Sequence, residues 1–158
     1  MTTRTNWLSA AVLTMALYVV PASAQSQQCV NTDSTEAVAI TAVTHAVNAA
    51  QAAATTTANA LSTLNLFTLL AATQQNTSAL LAVTQAEAAL ALMAPSALMT
   101  DLRAPLATVT SGISSLRDAT NSLLAGNPGA AQQAFTTALG QVDSAVGLAR
   151  SLPPLCRE

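Results

Sequence analysis

The side chains able to do chemistry in this sequence are few and widely spaced. It has one histidine, His45, and no lysine, and the carboxylates Asp33, Glu36, Glu87, Asp101, Asp118, Asp143 and Glu158 stand far apart along the chain. General acid–base catalysis and metal binding both need several such groups to converge. His45 lies two positions from both Val43 and Val47, off the apolar stripe they mark and on the side of Thr41 and Asn48. That placement reads as a surface histidine. No glycine-rich phosphate loop, HExxH, GxSxG or calcium-loop pattern occurs, so the parts of a hydrolase, kinase or metalloenzyme are missing. The sequence predicts neither catalysis, a metal nor a cofactor.

Glu87 sits four residues after Val83 and three before Leu90, at the margin of an apolar side. Three roles are open to it: a solvated margin carboxylate, a partner for Arg103 or Arg117, or a grip on a polar ligand head. The two cysteines, Cys29 and Cys156, lie near opposite ends of the chain with no CxxC neighbourhood and no histidine beside them. An even count without redox or zinc spacing predicts a structural disulfide formed in an oxidising compartment. In the chain-entropy model, closing a loop of that length stabilises the fold by roughly 5 kcal/mol.

That compartment agrees with the start of the chain. Arg4, an apolar stretch from Trp7 to Val20, and small residues at Ala22 and Ala24 have the three-part form of a secretory signal. We expect residues 1–24 to be removed, leaving 25–158 as a single domain outside the cell. The apolar stretch is shorter than the ~20 residues a spanning helix needs and ends at Pro21, so no integral membrane segment is expected in the processed protein. Removal also takes the only Trp and the only Tyr, leaving Phe67 and Phe135 as the aromatic residues.

A core must then come from Leu, Val, Ile, Met and Ala, and no stacking platform for sugars or bases is available. Four arginines against seven carboxylates leave the processed chain at a formal charge of −3. So few cations cannot neutralise a phosphate backbone or hold an anionic membrane surface, which excludes nucleic acid and points to a neutral or apolar partner. Oligomeric state is open.

The elements that position these residues are helices. Asp33 and Glu36 have capping-box spacing, predicting a first helix from about Ser34 to Leu61 with the stripe Ile40, Val43, Val47, Ala50 and Ala54. A second helical region runs from about Leu64 to Ala94 before Pro95, its apolar side formed by Leu66, Leu69, Leu70, Leu80, Leu81, Val83 and Leu90. The polar run Gln74 to Ser78 leaves open whether it is one long helix or two. In the third, Leu98, Leu102, Pro105, Val109, Ile113, Leu116, Thr120 and Leu123 recur in steps of four and three, as in a bundle seam. Pro105 should kink that helix or mark its true start.

Gly126 fits a C-terminal cap, and Asn127 and Pro128 fit the cap and first position of a fourth helix carrying Phe135, Leu139, Val142, Val146 and Ala149. The expected fold is an all-α, antiparallel up-down bundle of four or five helices. An even number returns both termini to one end, where Cys29 and Cys156 can meet.

Half the residues are hydrophobic and under a tenth are charged, so the helices have little polar surface with which to cover themselves. A slot between bundle helices would suit an acyl chain, and its candidate lining is Leu66, Leu70, Leu80, Val83, Leu102, Val109, Ile113 and Phe135. Asn76-Thr77-Ser78 is a glycosylation sequon, usable in a eukaryotic host if exposed. Thr44 and Thr55, Thr57 and Thr68, and Thr73 and Thr84 are each eleven apart, the spacing of an ice-binding helix face, although no segment continues the step to a third Thr.

The stretch Leu102 to Leu124 (LRAPLATVTSGISSLRDATNSLL) and the Ala-rich helix AAQQAFTTALGQVDSAVGLA that follows resemble, in rhythm, the fungal hydrophobic surface-binding protein family, which includes antigenic cell-wall galactomannoproteins. The resemblance implies a small helical glycoprotein secreted to the wall or medium that adheres to hydrophobic surfaces and in some members encloses a fatty acid. The leading expectation is therefore a secreted, non-catalytic binder of apolar surfaces or small lipids. The alternative is a secreted effector or inhibitor that docks a protein through one helix face.

Overall fold

The computed structural model describes residues 29–156, and the expected signal peptide lies outside them. Four helices follow one another: α1 (Thr35–Thr63), α2 (Leu66–Ala91), α3 (Ala97–Leu124) and α4 (Pro128–Arg150). Each begins where a short polar side chain caps free backbone amides. Ser34 Oγ accepts from Ala37 N at 3.1 Å, Asn65 Oδ1 from Phe67 N at 2.8 Å, Ser96 Oγ from Met99 N at 3.2 Å and Asn127 Oδ1 from Ala130 N at 3.1 Å. The first cap is Ser34, not Asp33, because Asp33 is held in a turn by its own N–H donating to Asn31 Oδ1. Pro105 does not start α3. It lies two turns inside it, with its ring buried.

The run Gln74 to Ser78 does not break α2, which continues through it, so the described residues form four helices. Short links make α1 and α2 one antiparallel hairpin and α3 and α4 another. Packing is most extensive within each hairpin; across the hairpins α1 lies against both α3 and α4, and α2 against α3. The α1–α3 diagonal is therefore the close one, and α1 buries the small residues Ala46, Ala50 and Ala53 along its length.

The even topology brings the two ends of the described segment together. Cys29 and Cys156 form a disulfide with 4.8 Å between their α-carbons. Beside it, Val30 N donates to Pro154 O and Cys156 N donates to Val30 O, both at 2.9 Å, in a short parallel bridge. We call this the stapled end; the far end carries the α1–α2 and α3–α4 turns.

Candidate functional site

At the far end, α1 stops at Leu64, which adopts left-handed geometry (φ 48°, ψ 37°) so that its N–H reaches Ala60 O at 3.0 Å. Glycine is the usual residue at such a position, because a side chain there strains the backbone by about 1–2 kcal/mol. Leucine occupies it here with its side chain 68% exposed. Two residues on, α2 opens with Leu66 and Phe67 in its first turn, and Phe67 is 80% exposed. Leu70 follows one turn later, and Leu124 closes the set from the end of α3, both also exposed. Between them Ala60, Leu64, Leu66, Leu69, Leu123 and Pro128 line an open groove of about 460 Å³.

The electrostatics of this end are as unusual as its shape. No Asp, Glu, Lys or Arg occurs between Glu36 and Glu87, or between Asp118 and Asp143, and those intervals are the segments that build the far end. The polar side chains there are mainly Thr, Ser and Asn, and many hydroxyls are already occupied. Thr55, Thr63, Thr73 and Thr77 each donate to the backbone carbonyl four residues earlier at 2.7–3.0 Å. A hydroxyl bonded to its own helix binds water less well, so these surfaces are less polar than their composition implies.

The residues expected to line a slot do not share one. Leu102, Val109, Ile113, Val83 and Phe135 are buried in a closed core, whereas Leu66, Leu70 and Leu80 stand on the outer surface of α2. That helix is apolar on both sides. Its small residues Ala72, Ala79, Ala82 and Ala86 turn inward together with Val83 and Leu90, and Leu66, Leu70, Leu80 and Leu81 are left outside. Leu139 on α4 is likewise exposed, with Ala138 in the interior beside it.

Asn76 is also interior, with its side chain 2% exposed. A glycan on its amide has no room in this packing, so the sequon is not an available acceptor in the folded chain. Thr57 is buried and donates to Ala53 O at 2.8 Å, which removes the Thr57–Thr68 pair from any ice-facing surface. Glu87 is exposed on an open groove that it shares with Arg103, the solvated-margin role, and His45 is exposed beside the C-terminal segment that ends at Cys156. Among the described residues no three His, Cys, Asp or Glu side chains are grouped to hold a metal ion.

Helix α1 is long and apolar enough to cross a membrane by length and composition, but half of its most apolar window is buried inside the bundle. That pattern is the one a core helix of a bundle produces.

The fold and its exposed end define the class of protein as a disulfide-closed, up-down four-helix bundle. No family model, curated protein or solved structure matches the chain. The functional reading accordingly rests on this geometry.

The sequence reasoning passed over Leu64, Phe67 and Leu124. Two signals for them were present: the apolar cluster Leu64-Asn65-Leu66-Phe67 falling at a helix link, where polar residues are the rule, and the uncharged interval around it.

Proposed function

We propose that this is a secreted, non-catalytic protein that adheres to neutral apolar surfaces through its far end. One observation carries the reading: Leu64, Leu66, Phe67, Leu70 and Leu124 gather, exposed, at an end that has no formal charge in the turns forming it. Contiguous exposed apolar patches mark interaction sites far more often than scattered single side chains do. The partner's chemistry follows from charge. An end without cations gains nothing from an anionic bilayer, whereas an uncharged hydrocarbon or polyester surface desolvates it at little electrostatic cost. Leu64 adds support, because backbone strain persists where a side chain is needed.

The rhythm shared with hydrophobic surface-binding proteins agrees with this reading. The disulfide and the expected signal peptide agree with secretion. An enclosed lipid is the less favoured form of the hypothesis, since the candidate lining is divided between core and surface.

The test is adsorption to a hydrophobic polyester film and to neutral phosphatidylcholine vesicles, for the processed chain and for a variant carrying Leu66→Ser, Phe67→Ser and Leu70→Ser. These side chains are exposed, so the variant should fold as the parent does. Retained affinity should fall by at least roughly tenfold, since each large apolar side chain removed from water contributes about 1.5–3 kcal/mol. Unchanged adsorption would reject the far end as the adhesive surface. Failure of the parent to adsorb, with one saturable protein recovered from extract instead, would favour the docking alternative.

A further inference from the structure

We infer that two copies of this chain pair through the outer face of α2, antiparallel about a two-fold axis at Thr77, in a reversible dimer. Adhesion at the far end does not supply this contact, which runs along the whole helix.

The face is apolar and unpartnered within the bundle. Helix α2 packs on α1 and α3, and Leu66, Leu70, Leu80 and Leu81 stand on its outer side, 62%, 56%, 37% and 60% exposed. Leu81 lies about 22 Å along the helix from Leu66, at 1.5 Å per residue. It is too far in to share the far-end contact.

The spacing on this face reads the same from either end. From Leu66 to Ala88 the outermost row advances in steps of four, three, four, four, three and four, as in a helix–helix seam, and its midpoint is Thr77. Reversing one copy about that midpoint sets Leu66 against Ala88, Leu70 against Thr84 and Leu81 against Thr73, so each large side chain meets a small one. A parallel pair sets leucine on leucine and threonine on threonine, which leaves bulges and gaps.

Covering this row costs little. The hydroxyls of Thr73, Thr77 and Thr84 already donate to the carbonyls of Leu69, Thr73 and Leu80 at 2.9, 3.0 and 3.1 Å, so no donor loses water without a partner. The one formal charge on α2 is Glu87, at the margin beside Arg103. The antiparallel arrangement sets the two copies' Glu87 about 30 Å apart, beyond the Debye length. The exposed surface of the row and of Phe67 comes to on the order of 600 Å² per copy, at the low end of specific interfaces. A self-complementary patch of that size gives closed, concentration-dependent pairs. Pairing covers Leu66 and Leu70, so it competes with adhesion, and dilution frees the far end.

The test is sedimentation equilibrium of the processed chain in buffer without any apolar surface, from about 1 to 100 μM. The parent should pass reversibly from monomer to dimer. Leu81→Glu and Leu81→Ser, both at an exposed position, should keep the parent's helicity and weaken pairing at least roughly tenfold. Under mild oxidation Thr77→Cys should link to its own copy, whereas Leu70→Cys, about 21 Å along the axis from its counterpart, should not. Thr136→Cys, exposed on α4, should stay unlinked as well.

A parent that stays monomeric throughout, or a dimer that neither Leu81 variant weakens, would overturn the proposal. So would cross-linking at Leu70→Cys or Thr136→Cys as ready as at Thr77→Cys. Leu81 lies outside the far-end set, so adsorption of its variants at dilution tells failure of adhesion from failure of pairing.

Discussion

The two halves of the bundle place the same residue types in opposite ways. Toward the staple, α1 and α2 put Ile40, Val43, Val47, Val83 and Leu90 inside, and the surface carries Asp33, Glu36, Glu87, Asp101, Arg103 and Arg150. Val38, Leu92 and Leu148 are exposed there too, but singly and among charges. In the far half the same two helices put Ala, Thr and Asn inside and Leu64, Leu66, Phe67 and Leu70 outside. The difference separates two demands on one fold. Toward the staple α1 and α2 share in the large-residue core, whereas in the far half that core is left to Ile113, Leu116 and Phe135 of α3 and α4 and the large apolar side chains of the first hairpin meet the surroundings.

Substitutions should expose this division. The largest effect is expected at the staple. Cys29→Ser with Cys156→Ser should destabilise the chain by about 3–5 kcal/mol, read as a lowered denaturant midpoint. Next comes the core toward the staple, where Leu102→Ala should cost about 2–5 kcal/mol, since Leu102 has no exposed surface. A single far-half truncation such as Thr57→Ala should cost about 1 kcal/mol or less, because it removes one hydroxyl bonded within its own helix. Equal losses for Leu102→Ala and Thr57→Ala would erase the distinction between the halves.

Leu64→Gly sharpens the comparison by moving stability and function in opposite directions. Glycine relieves the left-handed strain, so stability should rise by up to about 1 kcal/mol while film adsorption falls. Parallel changes in both would contradict the role given to this side chain.

The smallest effect concerns pH. The backbone amide of Glu36, with the Thr35 and Ser34 hydroxyls, holds its carboxyl below the ordinary glutamate value. A carboxyl depressed in the folded state contributes stability that is present above its unfolded value and lost as the pH falls through the folded one. Melting temperatures taken from neutral to acidic pH should show this small loss in the parent and not in Glu36→Gln.

Much of the fold was legible because its signals are local. The four–three seam of α3, the Asn127-Pro128 start of α4 and the stripe on α1 each depend on residues a turn or two apart, and all three hold in the structure. The cysteine positions supplied the one long-range constraint, and it favoured an even number of helices.

The orientation of α2 was not legible. Leucine on one side and alanine on the other give two apolar faces, and periodicity does not say which turns inward. Packing against the other helices decides it, burying the alanine side with Val83 and Leu90 and leaving Leu66, Leu70, Leu80 and Leu81 outside. That packing is a tertiary fact, and the candidate site depended on it: three of the leucines expected inside are on the surface, and Asn76, whose sequon is usable only if exposed, is in the interior.

The most direct measurement is a hydrogen-exchange footprint of the protein adsorbed on a hydrophobic film against the protein in solution, resolved by peptide. The account predicts protection confined to the segments around Leu64 to Leu70 and Asn121 to Pro128, with the stapled end exchanging as it does in solution. Protection centred on the stapled end, or spread evenly over the four helices, would contradict it.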